Sequence, residues 1–84
     1  MKYTLVKRNK SLQADSHFHF ISWMRKMDLQ KWIDNKDFKE GYSYRKKTFE
    51  KIDICHDDED YFVEDLQKNN LLKIESSKGF LGIF

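Results

Sequence analysis

Four sets of residues in this chain have types that could do chemistry. His17, His19, Cys55 and His56 carry imidazole and thiol. Asp57, Asp58, Glu59 and Asp60 form an acidic run that Tyr61, Glu64 and Asp65 extend. Tyr42, Tyr44, Arg45, Lys46, Lys47 and Lys51 interleave aromatics with cations. Lys2, Lys7, Arg8 and Lys10 make a basic cluster, with no acid before Asp15.

The first set does not match a metal site. Structural zinc is held by spaced pairs such as Cys-x2-Cys. His-x-His and an adjacent Cys-His lack that spacing, and on a helix His17 and His19 point apart. Nucleophilic catalysis by Cys55 with His56 is weaker still. Neighbours in sequence rarely bring thiol and imidazole within hydrogen-bond reach, and no glycine turn offers an oxyanion hole. None of the carboxylates stands alone in an apolar setting that would raise its pKa for acid–base work. With three glycines in all, there is no phosphate-cradling loop. No metal, no cofactor and no enzymatic activity are expected.

The elements that must position these groups fit one domain spanning 1–84, since a chain of this length has room for a single core. Seven Phe, four Tyr and two Trp are a heavy aromatic content. Each buried aromatic removes roughly 150–250 Å² from water. Stability at this size is marginal, so a partner or a homodimer would help. The single cysteine fits a reducing, cytoplasmic setting. No signal peptide and no membrane span are expected. Abundant Lys, Asn, Ile, Phe and Tyr, with no Pro, suit AT-rich coding such as that of bacteriophages or low-GC bacteria.

Charge divides along the chain. Residues 1–42 carry nine Lys/Arg against five Asp/Glu, and residues 43–84 seven against nine. Residues 2–7 favour a strand, and 9–15 read as a turn. Ser16 opens a helix whose Phe20, Trp23, Met24 and Met27 recur at helical spacing. Asp28 is the expected cap of a second helix carrying Leu29, Trp32 and Ile33, or the kink of one continuous helix, ending by Gly41. Ser43 is the expected cap of a third, with Arg45, Phe49 and Ile52 one turn apart. Asp57 caps a fourth, whose inner face is Phe62, Val63 and Leu66 and which stops at Asn69-Asn70. The chain ends in a hairpin of strand 71–75, a turn through Ser76, Ser77, Lys78 and Gly79, and strand 80–84. The expected class is α+β, a small helical domain with a C-terminal β-hairpin.

On these residues the second half, 43–84, resembles the winged helix-turn-helix family. Ser43-Tyr44-Arg45-Lys46-Lys47 is similar to the start of that family's second helix. The stretch from Tyr61 through Asn70 to Glu75 is similar to its third helix running into the wing. The resemblance implies groove contacts near Asp58, Glu59, Asp60 and Tyr61 and a wing contact at Lys78. The acids depart from that pattern, because duplex DNA is bound largely by neutralising its phosphates.

Two functions follow as expectations. In the first, a small non-enzymatic interaction protein, such as a phage or mobile-element inhibitor or adaptor, binds a protein of nucleic-acid machinery. Its contact residues are Asp57, Asp58, Glu59, Asp60, Tyr61, Glu64 and Asp65. In the alternative, a DNA-binding transcription or replication regulator uses the basic N-terminal strand together with Tyr44, Arg45, Lys46, Lys47, Lys51 and Lys78.

Overall fold

The computed structural model describes residues 1–76. Residues 77–84, which hold Lys78 and the expected last strand, lie outside the described residues. The architecture is α+β, with β1 (Lys2–Leu5), β2 (Lys10–Gln13), α1 (His17–Met27) and α2 (Asn35–Arg45) in that order. A π-helical segment (Lys46–Glu50), α3 (Glu59–Lys68) and β3 (Leu72–Glu75) follow. The three strands form an antiparallel sheet in the order β2-β1-β3.

Several elements form where local signals put them. Ser16 caps α1, its hydroxyl accepting from the His19 N–H at 3.1 Å. Phe20 and Met24 are buried, with Trp23 and Met27 packed partly against the same core. Asp58, one residue past the expected Asp57, caps α3 by accepting from the Asp60 N–H. Phe62, Val63 and Leu66 form its buried face. Asn70 takes the left-handed conformation, φ 59°, that ends the helix and turns the chain into β3.

Other expectations are corrected. Residues 9–15 are not only a turn, since Lys10–Gln13 is a strand zipped to β1 with Tyr3 opposite Leu12. It is an edge strand with one half-buried apolar side chain, so its alternation was too shallow to see in the sequence. β3 finds its partner in β1, far upstream, with Leu5 opposite Leu72. Residues 29–33 form no helix: Leu29 and Ile33 stand exposed, and only Trp32 packs inward. Asp34 is the cap that starts α2, accepting from the Asp37 N–H at 2.8 Å.

α2 runs through both Gly41 and Ser43. Ser43 is thus a buried residue within the helix and not its cap. Gly41 is small for a packing reason. A Cβ there would overlap the Trp32 ring, so glycine lets the indole lie on the helix backbone. Glycine costs about 1 kcal/mol relative to alanine inside a helix, and the indole packing offsets it.

Helices and sheet meet over one core. Tyr3, Phe20, Phe38 and Phe62 are fully buried. Tyr3 stacks on Phe20 at 4.7 Å between ring centroids. Tyr42 lies between Phe38 and Phe62 at 5.7 and 5.6 Å. Each such side chain contributes about 1.5–3 kcal/mol of burial. Asn35 ties α2 to α1, accepting from Arg25 Nε at 2.8 Å and donating to Ser22 Oγ at 2.9 Å.

Candidate functional site

Successive residues of a helix are 100° apart, so α2 and its π-helical extension present two opposed faces. Tyr42, Arg45, Lys46 and Phe49 fall on one. Glu40, Ser43, Tyr44 and Lys47 fall on the other. Each face lines a depression in the surface.

The first is a basic cup of two adjoining cavities, about 80 and 240 Å³, which share Arg8, Tyr42, Arg45 and Lys46 in their walls. The smaller has an apolar floor of Leu5, Met24, Met27, Phe38 and Leu71. Phe49 and Glu50 complete the larger. Most of these charges have internal partners. Arg45 reaches Asp28 at 2.7 Å, with its guanidinium over the rings of Trp32 and Tyr42 at 5.8 and 6.0 Å. Burial pushes the Asp28 carboxyl up, but the Gln30 N–H and the Arg45 guanidinium hold it below its usual value. The buried Trp32 indole N–H adds to that field without a hydrogen bond of good geometry.

Glu50 bridges Lys7 at 2.9 Å and Lys46 at 2.6 Å, and those two hydrogen bonds bring its carboxyl down to about 2. Burial pushes the Tyr42 hydroxyl up to about 12, with the Glu50 charge acting the same way. At neutral pH it is therefore a hydrogen-bond donor.

The second depression is an open groove of about 680 Å³ between α2, the 53–57 connection and α3. Glu40, Asp53, Asp57 and Asp65 line it, against Lys47 and His56. Tyr44, 69% exposed, also lines it. The Ser43 hydroxyl is buried at its floor and has no hydrogen-bond partner among the described residues. Asp65 Oδ2 accepts from the Cys55 N–H at 2.8 Å and so holds the connection against α3. Asp57 lies 3.6 Å from His56 Nδ1.

The expected acidic contact residues therefore separate. Asp58 is the helix cap, Asp65 braces the connection, and Glu64 pairs with Lys68 at 3.2 Å. Asp60 lies 3.8 Å from His17 Nε2, and His17 Nδ1 meets the Tyr3 hydroxyl at 2.8 Å. Asp57 and Tyr61 stay exposed, and Glu59 is half-buried. The expected basic face separates too. Arg45 and Lys46 turn to the cup, whereas Tyr44, Lys47 and Lys51 are exposed. Lys78 lies outside the described residues.

Among the described residues no group of three or more His, Cys, Asp or Glu side chains is placed to hold a metal ion. Likewise, no helix there is long and apolar enough to cross a membrane. The sequence singles out Lys7 and Arg8 as part of a basic cluster and Tyr42 beside the basic helix, but not as one site; the site residues that sequence reasoning missed are Asp28 and Glu50 in the cup and Glu40, Ser43 and Asp53 in the groove. Drawing one helix from the Asp34 cap through residue 49 would have grouped 42, 45, 46 and 49 apart from 40, 43, 44 and 47. Compared with known proteins, the chain matches no family model, and no curated protein or solved structure is significantly similar to it.

Proposed function

We propose that this chain is a small non-enzymatic interaction protein that takes a basic segment of a partner protein into the groove beside α3. The partner fits nucleic-acid machinery, whose surfaces that contact phosphate are rich in Lys and Arg. The observation that carries the reading is the imbalance within the groove, where four carboxylates face Lys47 and His56 over an unpaired Ser43 hydroxyl. Glu40 and Asp53 have no ion pair or hydrogen bond among the described residues. A lysine or arginine side chain entering there would meet unpaired carboxylates, with Tyr44 beside them for cation–π contact. Within this proposal, the likeness to winged helices is supported by the run of α3 through Asn70 into β3.

The rival reading, a DNA-binding regulator, draws support from exposed Lys47 and Lys51 beside Tyr44. It loses Arg45 and Lys46, whose charges are met by Asp28 and Glu50.

Titration with a fluorescent arginine- and lysine-rich peptide tests the choice. Saturable, salt-sensitive binding that Glu40→Gln with Asp53→Asn weakens at least about tenfold is expected, because two charge contacts are removed. Retention on duplex DNA that Lys47→Glu with Lys51→Glu abolishes, with no peptide binding, would establish the rival instead.

A further inference from the structure

We infer that the basic cup on the opposite face of α2 is a nucleotide site, holding a phosphate at Arg8, Lys7 and Tyr42 with a base against Phe49. Two stretches far apart in sequence build it: the β1–β2 turn supplies Lys7 and Arg8, and the junction of α2 with the π-helical segment supplies Arg45 and Lys46. Four cations meet two carboxylates there, Asp28 and Glu50, which leaves a local excess of two positive charges. That balance suits one phosphate dianion. It does not make the extended track of cations that a duplex requires.

Two donors are uncommitted. Arg8 has no ion pair or hydrogen bond among the described residues, and neither does the Tyr42 hydroxyl, which is protonated at neutral pH. Glu50 already sits between Lys7 and Lys46 as a carboxylate, one oxygen to each, so the pair is arranged around an anionic group before any ligand arrives.

The π-helical segment supplies the second half of the site. Such segments are rare and recur at functional positions. This one ends at Lys51, held at φ 57°, and carries Phe49 to the wall of the outer cavity, where the ring is 78% exposed. An exposed aromatic beside phosphate-binding cations is the arrangement that stacks a base. The shared chemistry is a phosphate adjoining one flat base, from a free nucleotide or from the end of a single strand.

The test is a titration of the full chain with AMP, with inorganic phosphate and with a short oligothymidylate, followed by backbone amide NMR. Saturable AMP shifts at Arg8, Tyr42 and Lys46 are expected. Arg8→Gln should weaken AMP binding about tenfold or more by removing a charge-assisted donor. Phe49→Ala should weaken AMP roughly fivefold or more and leave inorganic phosphate unchanged. Glu50→Gln should tighten AMP about two- to fivefold, since the internal carboxylate no longer competes. An oligothymidylate that binds tighter than AMP identifies the source as a strand end, and equal or weaker binding identifies it as a free nucleotide. The inference is overturned by no saturable AMP shift at about 10 mM, by Arg8→Gln binding AMP like the parent, or by Phe49→Ala having no effect on AMP. None of these outcomes bears on peptide binding in the acidic groove, which is on the other face of the helix.

Discussion

The two faces of α2 treat charge in opposite ways. On the cup side each carboxylate is answered, Asp28 by Arg45 and Glu50 by Lys7 and Lys46, and the surplus is positive. On the groove side, Glu40 and Asp53 are unpaired among the described residues, and Asp65 is met by a backbone N–H. In sequence the same region reads as a basic helix followed by an acidic one. What the fold adds is the counter-ions from distant elements, Asp28 for Arg45 and Lys7 for Glu50, beside the local Lys46–Glu50 pair. A run of like charge therefore describes composition, and only the through-space partners decide which charges remain available to a ligand.

The sharpest way to break the difference between the faces is at Gly41, which backs the cup through Trp32. Gly41→Ala forces the indole off the helix, and Arg45 stacks on that indole at 5.8 Å. Overpacking costs about 1–3 kcal/mol, and the gain in helix propensity returns about 1. A net loss of about 0–2 kcal/mol in urea unfolding, toward the upper end because the overlap is with ring atoms, is expected. Trp32 fluorescence should change with it, while the groove keeps its peptide affinity.

Asp28→Asn should cost about 1–2 kcal/mol at pH 7, because the Asp28 side chain is only 8% exposed and Arg45 loses its carboxylate. The folded Asp28 carboxyl is held below its ordinary value of 3.8. Its contribution is present above that value and is lost as pH falls through the lowered folded value. Unfolding measured from pH 7 down should show parent and variant converging in acid. A gap that persisted below the folded value would assign the loss to packing and not to charge.

On the groove side, Asp65→Ala removes the acceptor of the Cys55 N–H and frees the connection from α3. A smaller loss of about 1 kcal/mol is expected, with faster amide exchange at Cys55 and His56. If exchange there is unchanged, the groove wall is held by packing of Ile54, which is buried in the core.

Much of the fold was legible because its signals are local. Ser16 before a stripe, Phe62-Val63 with Leu66, and Asn70 after Lys68 each state a helix boundary or face within one or two turns. α2 was misread because two signals competed. Leu29, Trp32 and Ile33 mimic a helical stripe over five residues, whereas the capping pair Asp34 and Asp37 is quieter and correct. Gly41 then looked like a stop, when its role is to admit an indole. The sheet was legible strand by strand but not in its pairing, since β1 and β3 meet across most of the chain. The cup was invisible for the same reason. Lys7 and Glu50 are 43 positions apart, and no local pattern announces their bond.

The Glu50 bridge gives the finest test of the contrast, since its effect is on titration and hardly on stability. The bridge lies at the surface, where ion pairs contribute little. Yet two lysines share one carboxylate, and they bring it from an ordinary 4.5 to about 2. The sign follows from linkage: whatever the bridge contributes is complete above 4.5 and is lost as pH falls from there through about 2. Carboxyl-detected NMR should place the Glu50 midpoint near 2. Lys46→Gln should raise that midpoint more than Lys7→Gln, because the Lys46 hydrogen bond is the larger cause. Equal midpoints in the parent and both variants would mean that the bridge does not form in solution. The cup would then hold its lysines without an internal anion, and Glu50→Gln would leave AMP affinity where it was.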